Sequence, residues 1–516
     1  MKKALFTSIF MLFAVSAIAL CMTRSCSMSS ATSEGEAFAE PLPLGLKVVR
    51  LRPTNKAGDK FVLDAKLIKP ELTSTYYIIE HNYDLRNEIL IIPRGCVLEF
   101  RGGSISNGTL QADFATISAP AIPIFHTDLK LTGNWQNHSL LVEWYGAVGD
   151  NKTNSTDAIN AAINNTTFHT VSLMAGAKYR INHAIRMRSS DLSFGCFEVS
   201  YSHEDSPAAY IYSDCSEHIL EFPKGVTVKG ICLKGMVLHK TGRYNYKGDG
   251  IHIQDASFYR SVLEGVRIYY CNNGFYQHFE KDYRGYSLNK MQNCVFSGCL
   301  YGFTLTHDDG GNYSYWVNLN SWDNCHFGFN KFGGLTINNV YSCEQNMFSS
   351  CGFEGVSWDA LQNWNVDSDV YGARLNGQGY GLTTFENCYF ERNHPQKYKT
   401  QPTSALNETS KYCISDVIVE GMLVSFSHCT FNDGITPIVI RNGNIGVTIE
   451  NTIFRTGYDS DYIVLFKGVA PENTNEGNYL KIDVPYIERK YSRSMAKDVN
   501  CSTKALNKSI NSLTIR

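Results

Sequence analysis

Five short runs in the middle of the chain share one pattern: a glycine, an apolar residue, then alternation of apolar and polar positions. They are Gly250-Ile251-His252-Ile253-Gln254-Asp255, Gly274-Phe275-Tyr276-Gln277-His278-Phe279-Glu280, Gly302-Phe303-Thr304-Leu305-Thr306-His307-Asp308, Gly334-Leu335-Thr336-Ile337-Asn338-Asn339 and Gly355-Val356-Ser357-Trp358-Asp359. Alternation with period two predicts β-strands, and aligned strands sort residues by face. Ile251, Phe275, Phe303, Leu335 and Val356 share the inward position, followed two residues later by Ile253, Leu305, Ile337 and Trp358. The other parity faces solvent. His252, Tyr276, Thr304, Thr336 and Ser357 form one outward ladder, and Gln254, His278, Thr306, Asn338 and Asp359 form the next. Glu280 and Asp308 stand two residues further along.

Between these runs another unit recurs: Asn293-Cys294-Val295-Phe296, Asn324-Cys325-His326-Phe327, Asn387-Cys388-Tyr389-Phe390 and His428-Cys429-Thr430-Phe431, with Asn346-Met347-Phe348 and Asn451-Thr452-Ile453-Phe454 fitting the same frame. A repeat period in the twenties with occasional longer loops is what one coil of a parallel β-helix requires. The fold expected is therefore all-β, a single-stranded parallel β-helix. Sixteen cysteines in one chain suggest a disulfide framework. Their recurrence two residues before Phe points instead to small apolar thiols stacked inside a solenoid. No C-x-x-C pair or tight Cys/His spacing is present, so no metal site is expected.

Upstream, Trp144-Tyr145-Gly146-Ala147-Val148-Gly149-Asp150-Asn151 reads as a strand end and a turn. Ser155-Thr156-Asp157-Ala158-Ile159-Asn160-Ala161-Ala162-Ile163 then reads as a short amphipathic helix with Ile159, Ala162 and Ile163 on one face. Asn154 is the expected N-cap, and Asp157 complements the helix dipole. This arrangement resembles the opening of the pectate lyase superfamily, the right-handed parallel β-helices related to polygalacturonases. Asn151 stands where that family usually has Gly, and Asn154-Ser155 where it often has two aspartates; Asn tolerates the left-handed turn and Asn and Ser cap helices as Asp does. The resemblance implies a helix that plugs the end of a solenoid and a protein that handles polysaccharides. Residues 46–143 resemble the N-terminal coils of exported β-helix proteins of gut Bacteroidetes, with Arg101-Gly102-Gly103-Ser104-Ile105-Ser106-Asn107-Gly108-Thr109-Leu110 as a tight turn between coils.

A formal net charge of -2 gives no electrostatic case for nucleic acid or an anionic membrane as partner. Lys2 and Lys3 precede an apolar run from Ala4 to Leu20, the pattern of a bacterial secretory signal peptide, so an exported, periplasmic, outer-surface or secreted protein is expected. Ile18-Ala19-Leu20-Cys21 also resembles a lipoprotein box, which would make Cys21 a lipid anchor and the membrane a partner through it alone. The expected organisation is a signal peptide over 1–20, a linker over 21–45, N-terminal β-rich coils over 46–143, the parallel β-helix over 144–470 and a C-terminal cap with a polar tail over 471–516.

The expected ligand is a polysaccharide or oligosaccharide along the outward ladders. Glycoside hydrolysis takes two carboxyl groups whose separation sets the stereochemistry. Glu280 and Asp308 on adjacent rungs are the leading catalytic pair, with Asp309 and Asp359 widening the choice. His252, Tyr276, His278, Arg284, Asn338 and Trp364 are the candidate substrate-binding residues. Asp308-Asp309 invites comparison with polygalacturonases, but the Asn-Thr-Asp, Gly-His-Gly and Arg-Ile-Lys motifs of that family have no counterparts. No cofactor is expected for a hydrolase. A polysaccharide lyase acting on uronates is the alternative; it would use a Lys or Arg base with calcium, for which Asp367-Ser368-Asp369 offers oxygen ligands. A non-catalytic, adhesive or glycan-binding surface protein is the third reading. Phe353-Glu354, Phe385-Glu386 and Phe390-Glu391 recur, and recurrence marks them as a turn position in each coil.

Overall fold

The computed structural model describes residues 47–53, 55–197, 208–242, 246–280, 283–307, 315–357, 368–377, 381–394, 412–434, 436–441, 446–456, 464–467, 478–483, 486–489, 499–500 and 510–515. The expected signal peptide, linker and Cys21 lie outside these residues, as do Asp308, Asp309, Trp358, Asp359, Trp364 and Asp367.

Three long parallel sheets of 16, 12 and 11 described strands run through the chain, each built from strands that pair one coil after the next. Every coil contributes in turn to a first, second and third wall, as Lys290–Gln292, Val295–Ser297 and Tyr301–His307 do. Parallel pairing of successive coils with the right-handed sense of crossover is a right-handed parallel β-helix. Before it, residues 47–135 wind smaller sheets of the same parallel kind, interrupted by one antiparallel pair, Lys56–Ala57 with Lys60–Val62. The segment expected as a plain turn at 101–110 contains a two-residue strand, Ile105–Ser106, and the start of the long strand Gly108–Ser118.

The Asn-Cys-x-Phe unit is the bend from first to second wall. Asn293, Asn324, Asn387, His428 and Asn451 have φ of 54°, 50°, 53°, 55° and 49°, so one left-handed residue turns the chain, a conformation Asn tolerates better than most. In the first four the residue that follows is a buried, free cysteine, in the fifth it is the buried Thr452, and the phenylalanine that ends each unit is buried. Phe296, Phe327, Phe353, Phe390, Phe431 and Phe454 stack with centroid spacings of 5.4, 5.0, 4.8, 4.6 and 4.9 Å. Asn346-Met347-Phe348 does not belong to this frame. It lies in the first wall, where Phe348 pairs with Trp322, and the bend in that coil is Ser350-Cys351-Gly352-Phe353, with Ser350 at φ 53°.

The helix forms over Thr156–Asn164 and buries Ala158, Ile159, Ala162 and Ile163 in the continuous core, with Asp157 in its first turn. Asn151 is left-handed at φ 60°. Two local expectations are corrected. The N-cap is Ser155, whose hydroxyl turns back to Val148, while Asn154 Oδ1 accepts from the Thr156 hydroxyl at 2.7 Å. Val142–Tyr145 is a turn of 3-10 helix rather than a strand end.

Candidate functional site

The expected ladders form in register on the third wall, although Thr304 and Thr336 are buried beneath it rather than facing solvent. His252 pairs with Tyr276, Tyr276 with Thr304, Thr304 with Thr336, and Thr336 with Arg374. Gln254, His278, Thr306 and Asn338 make the parallel column, which Asn376 extends by donating to Asn338 Oδ1 at 2.8 Å. The fifth rung is not the one expected: Leu335 pairs with Ala373, so the strand is Val370–Gly377, and Val356 and Ser357 form a turn. A long connection, 355–369, carries the Gly-apolar pattern at its start, and Gly355 at φ 63° closes the previous coil beneath the Phe329 ring.

Glu280 lies at the rim of this face, tied to Lys224 Nζ at 2.8 Å and Gln254 Nε2 at 2.5 Å. The Lys224 ammonium, then the Gln254 amide, hold its carboxyl below the usual range. Its partner-to-be Asp308 lies outside the described residues, although Phe279 and His307, their chain neighbours, are register partners. Arg284 is placed away from the ladders: it opens the strand Arg284–Ser287 of the first wall and approaches the buried Asp255 at 3.5 Å. Asp369, one of the two oxygen ligands considered for calcium, is held by Arg441 at 2.5 and 2.8 Å and approached by Arg374 at 3.5 Å.

At the upstream end of the stripe His218, Asp249 and His252 converge. Gly248 makes the approach: at φ 66°, with any Cβ falling 2.2 Å from the Glu217 carbonyl, only glycine passes there and sets Asp249 behind the two rings. Asp249 Oδ1 accepts from the Asn273 backbone at 3.0 Å and the Asn273 amide at 2.9 Å, while Oδ2 lies 2.7 Å from His252 Nδ1 and 3.2 Å from His218 Nδ1. Burial opposes its charge, yet the two imidazoles and the Asn273 amide around it prevail and hold the carboxyl well below its usual range. The buried Lys240 donates to the Cys215 carbonyl at 2.9 Å and to the Glu217 carbonyl, pinning the segment that carries His218.

The second wall holds another cluster of carboxyl groups. Glu354 and Glu391 are register partners on adjacent coils, both outward, with side-chain exposures of 31% and 15%. His326 Nε2 lies 2.8 Å from Glu354 Oε1 and, ahead of the opposing cost of burial, holds that carboxyl below its usual range. Glu391 receives the Tyr389 hydroxyl at 2.8 Å, the Asn432 amide at 3.1 Å and Arg392 at 3.1 Å. The His326 ring lies across Gly328 and Gly352, whose hypothetical Cβ atoms would fall 2.5 and 3.1 Å from it. The pair's sequence signal was the recurrent Phe-Glu. Glu354 and Glu391 do close their strands, as a turn-position reading expects, and what the recurrence hid is that two of the copies share one face. His218 and Asp249 had no signal beyond Gly248-Asp249-Gly250, because they meet across coils of unequal length.

No family model and no curated protein sequence matches this chain. Among solved structures it is similar to ORF18 of Geobacillus virus E2, at 16% identity over 67% of this chain and 62% of that one, with a TM-score of 0.41. It is similar to the gp42 tailspike of Acinetobacter phage vb_AbaP_AS12, at 11% identity over 68% of this chain and 58% of that one, TM-score 0.45. A third is the A-module of the Azotobacter vinelandii mannuronan C-5 epimerase AlgE4, at 13% identity, covering 73% of this chain and 99% of that one, TM-score 0.43. The match thus spans less than two thirds of the two viral chains.

Proposed function

We propose that this protein is an exported carbohydrate-active enzyme, a glycoside hydrolase that cleaves within a polysaccharide, with Glu354 and Glu391 as its carboxyl pair. The observation that carries this reading is their placement as outward register partners on neighbouring coils. Neighbouring strands are about 4.8 Å apart, close to the roughly 5–5.5 Å between the carboxyl groups of retaining glycosidases and short of the wider gap inverting enzymes need for water. Glu391, with its charge met by Tyr389, Asn432 and Arg392, is suited to attack the anomeric carbon. The departing glycosidic oxygen takes its proton from the Glu354–His326 pair, whose Oε1 and Nε2 lie 2.8 Å apart. Water then releases the sugar, with the couple acting as base.

The test is a panel of plant, host and microbial polysaccharides read for new reducing ends and for ultraviolet absorbance. Wild-type protein is expected to release reducing ends from at least one member without the absorbance of an unsaturated product. Glu391→Gln and Glu354→Gln are expected to lower that rate at least 100-fold while the melting temperature stays within a few degrees. Full activity in both variants removes the pair. An unsaturated, chelator-sensitive product would make the enzyme a lyase, and saturable binding without cleavage would make it a glycan-binding surface protein.

A further inference from the structure

His218 and His252 touch the same aspartate through unlike hydrogen bonds. His252 Nδ1 lies 2.7 Å from Asp249 Oδ2, a carboxylate oxygen that only accepts, so this nitrogen carries a proton. The backbone N–H of Asp249 donates to His218 Nδ1 at 3.0 Å, so that nitrogen offers its lone pair. The same His218 atom is 3.2 Å from Asp249 Oδ2, but the backbone donor is fixed and nearer, and it decides the tautomer. In their neutral forms the two rings are therefore opposite tautomers: His252 turns a bare Nε2 away from Asp249, and His218 turns an Nε2–H. They lie nearly parallel with centroids 3.6 Å apart at 16°, and Tyr276 continues the stack at 5.4 Å and 21°.

The same stack argues against a shared metal ion. A metal binds in the plane of an imidazole, about 2.0–2.1 Å from the nitrogen. An ion reaching both rings would sit half of their 3.6 Å spacing out of each plane.

We propose that His218 and His252 form a subsite for two neighbouring hydroxyl groups of a sugar ring, one donating to His252 Nε2 and the other accepting from His218 Nε2–H, beside the Tyr276 ring. One donor beside one acceptor is what a vicinal diol presents in return, and the polar columns continue in register from this point across four more coils. The subsite lies on a different wall from Glu354 and Glu391 and shares with them only the class of ligand.

Long-range proton–nitrogen correlation spectra of protein labelled at histidine nitrogen test it. His252 is expected as the Nδ1–H form and His218 as the Nε2–H form, assigned by His252→Gln and His218→Gln. Titration with methyl α-D-mannopyranoside and methyl α-D-galactopyranoside, each with a cis pair of neighbouring hydroxyls, should shift both rings' signals, and should do so equally in Glu391→Gln. Loss of hydrolysis in that variant with binding intact separates the two proposals. Both rings in one tautomer, or no shift with either glycoside, overturns the subsite. Zinc chloride moving the two rings where the sugars do not would make it a metal site instead.

Discussion

Asp416 is a buried carboxyl in the glycine column of the third wall, adjacent in register to Gly372. Its Oδ1 accepts from Asn393 at 2.8 Å, and Oδ2 has no hydrogen-bond partner. Burial, with the charges of Glu391 and Asp433 adding to it, pushes its pKa up to about 7. An unfolded aspartate titrates near 3.9, so between about pH 4 and pH 7 the folded state binds the extra proton and stability falls as pH rises. Above that window the loss is complete, on the order of a few kcal/mol at about 1.4 per pKa unit. Asp416→Asn keeps the shape and the Asn393 contact without the charge. It is expected to flatten stability against pH across this window and to raise the melting temperature at pH 8; urea unfolding of both proteins at pH 5 and pH 8 checks this, and a parallel pH profile would refute it. At this scale the sequence was least informative. Whether a given Asp or Glu is buried, paired or outward depends on its coil neighbours, which are twenty to forty residues away.

At the scale of the element, the bend between first and second walls was legible in the chain because a left-handed residue, a small thiol and an aromatic recur in that order. The same rule misplaced Asn346-Met347-Phe348, whose Asn serves another purpose: its amide joins the buried ladder Asn289, Asn320, Asn346. The Gly-apolar pattern likewise failed at Gly355, since a glycine followed by an apolar residue also describes a coil's closing turn. Asn387, at φ 53°, offers a test of the bend. Asn387→Val places a β-branched residue in the left-handed region and is expected to cost about 1–2 kcal/mol, whereas Asn387→Gly should be nearly neutral. Denaturant titration reads the difference; equal losses would mean the bend does not depend on this conformation.

Across the whole molecule, eleven of the thirteen described cysteines are buried. Burial pushes the Cys271 and Cys294 thiols up, and their sulfurs face carbonyls of their own or the preceding coil. The native protein is therefore expected to react slowly with a thiol reagent and to expose these thiols together on unfolding, without any reductant; disulfides found in the native protein by mass spectrometry would contradict it. The walls were readable from sequence because each coil repeats the same faces. The proposed functional surface was only partly readable, since His252, Tyr276, His278 and Asn338 follow from strand parity while the Glu354–Glu391 pair follows from coil register. Register in turn depends on the lengths of connections such as 355–369 and 392–413, which no local pattern reports.

The most direct test of the carboxyl pair is the anomeric configuration of the first product, followed by proton NMR on whichever polysaccharide of the panel is cleaved. Glu354 and Glu391 on adjacent coils predict retention, with a 2-fluoro glycoside of the same sugar left covalently attached to Glu391. An inverted product, or a label on any other residue, would contradict the account.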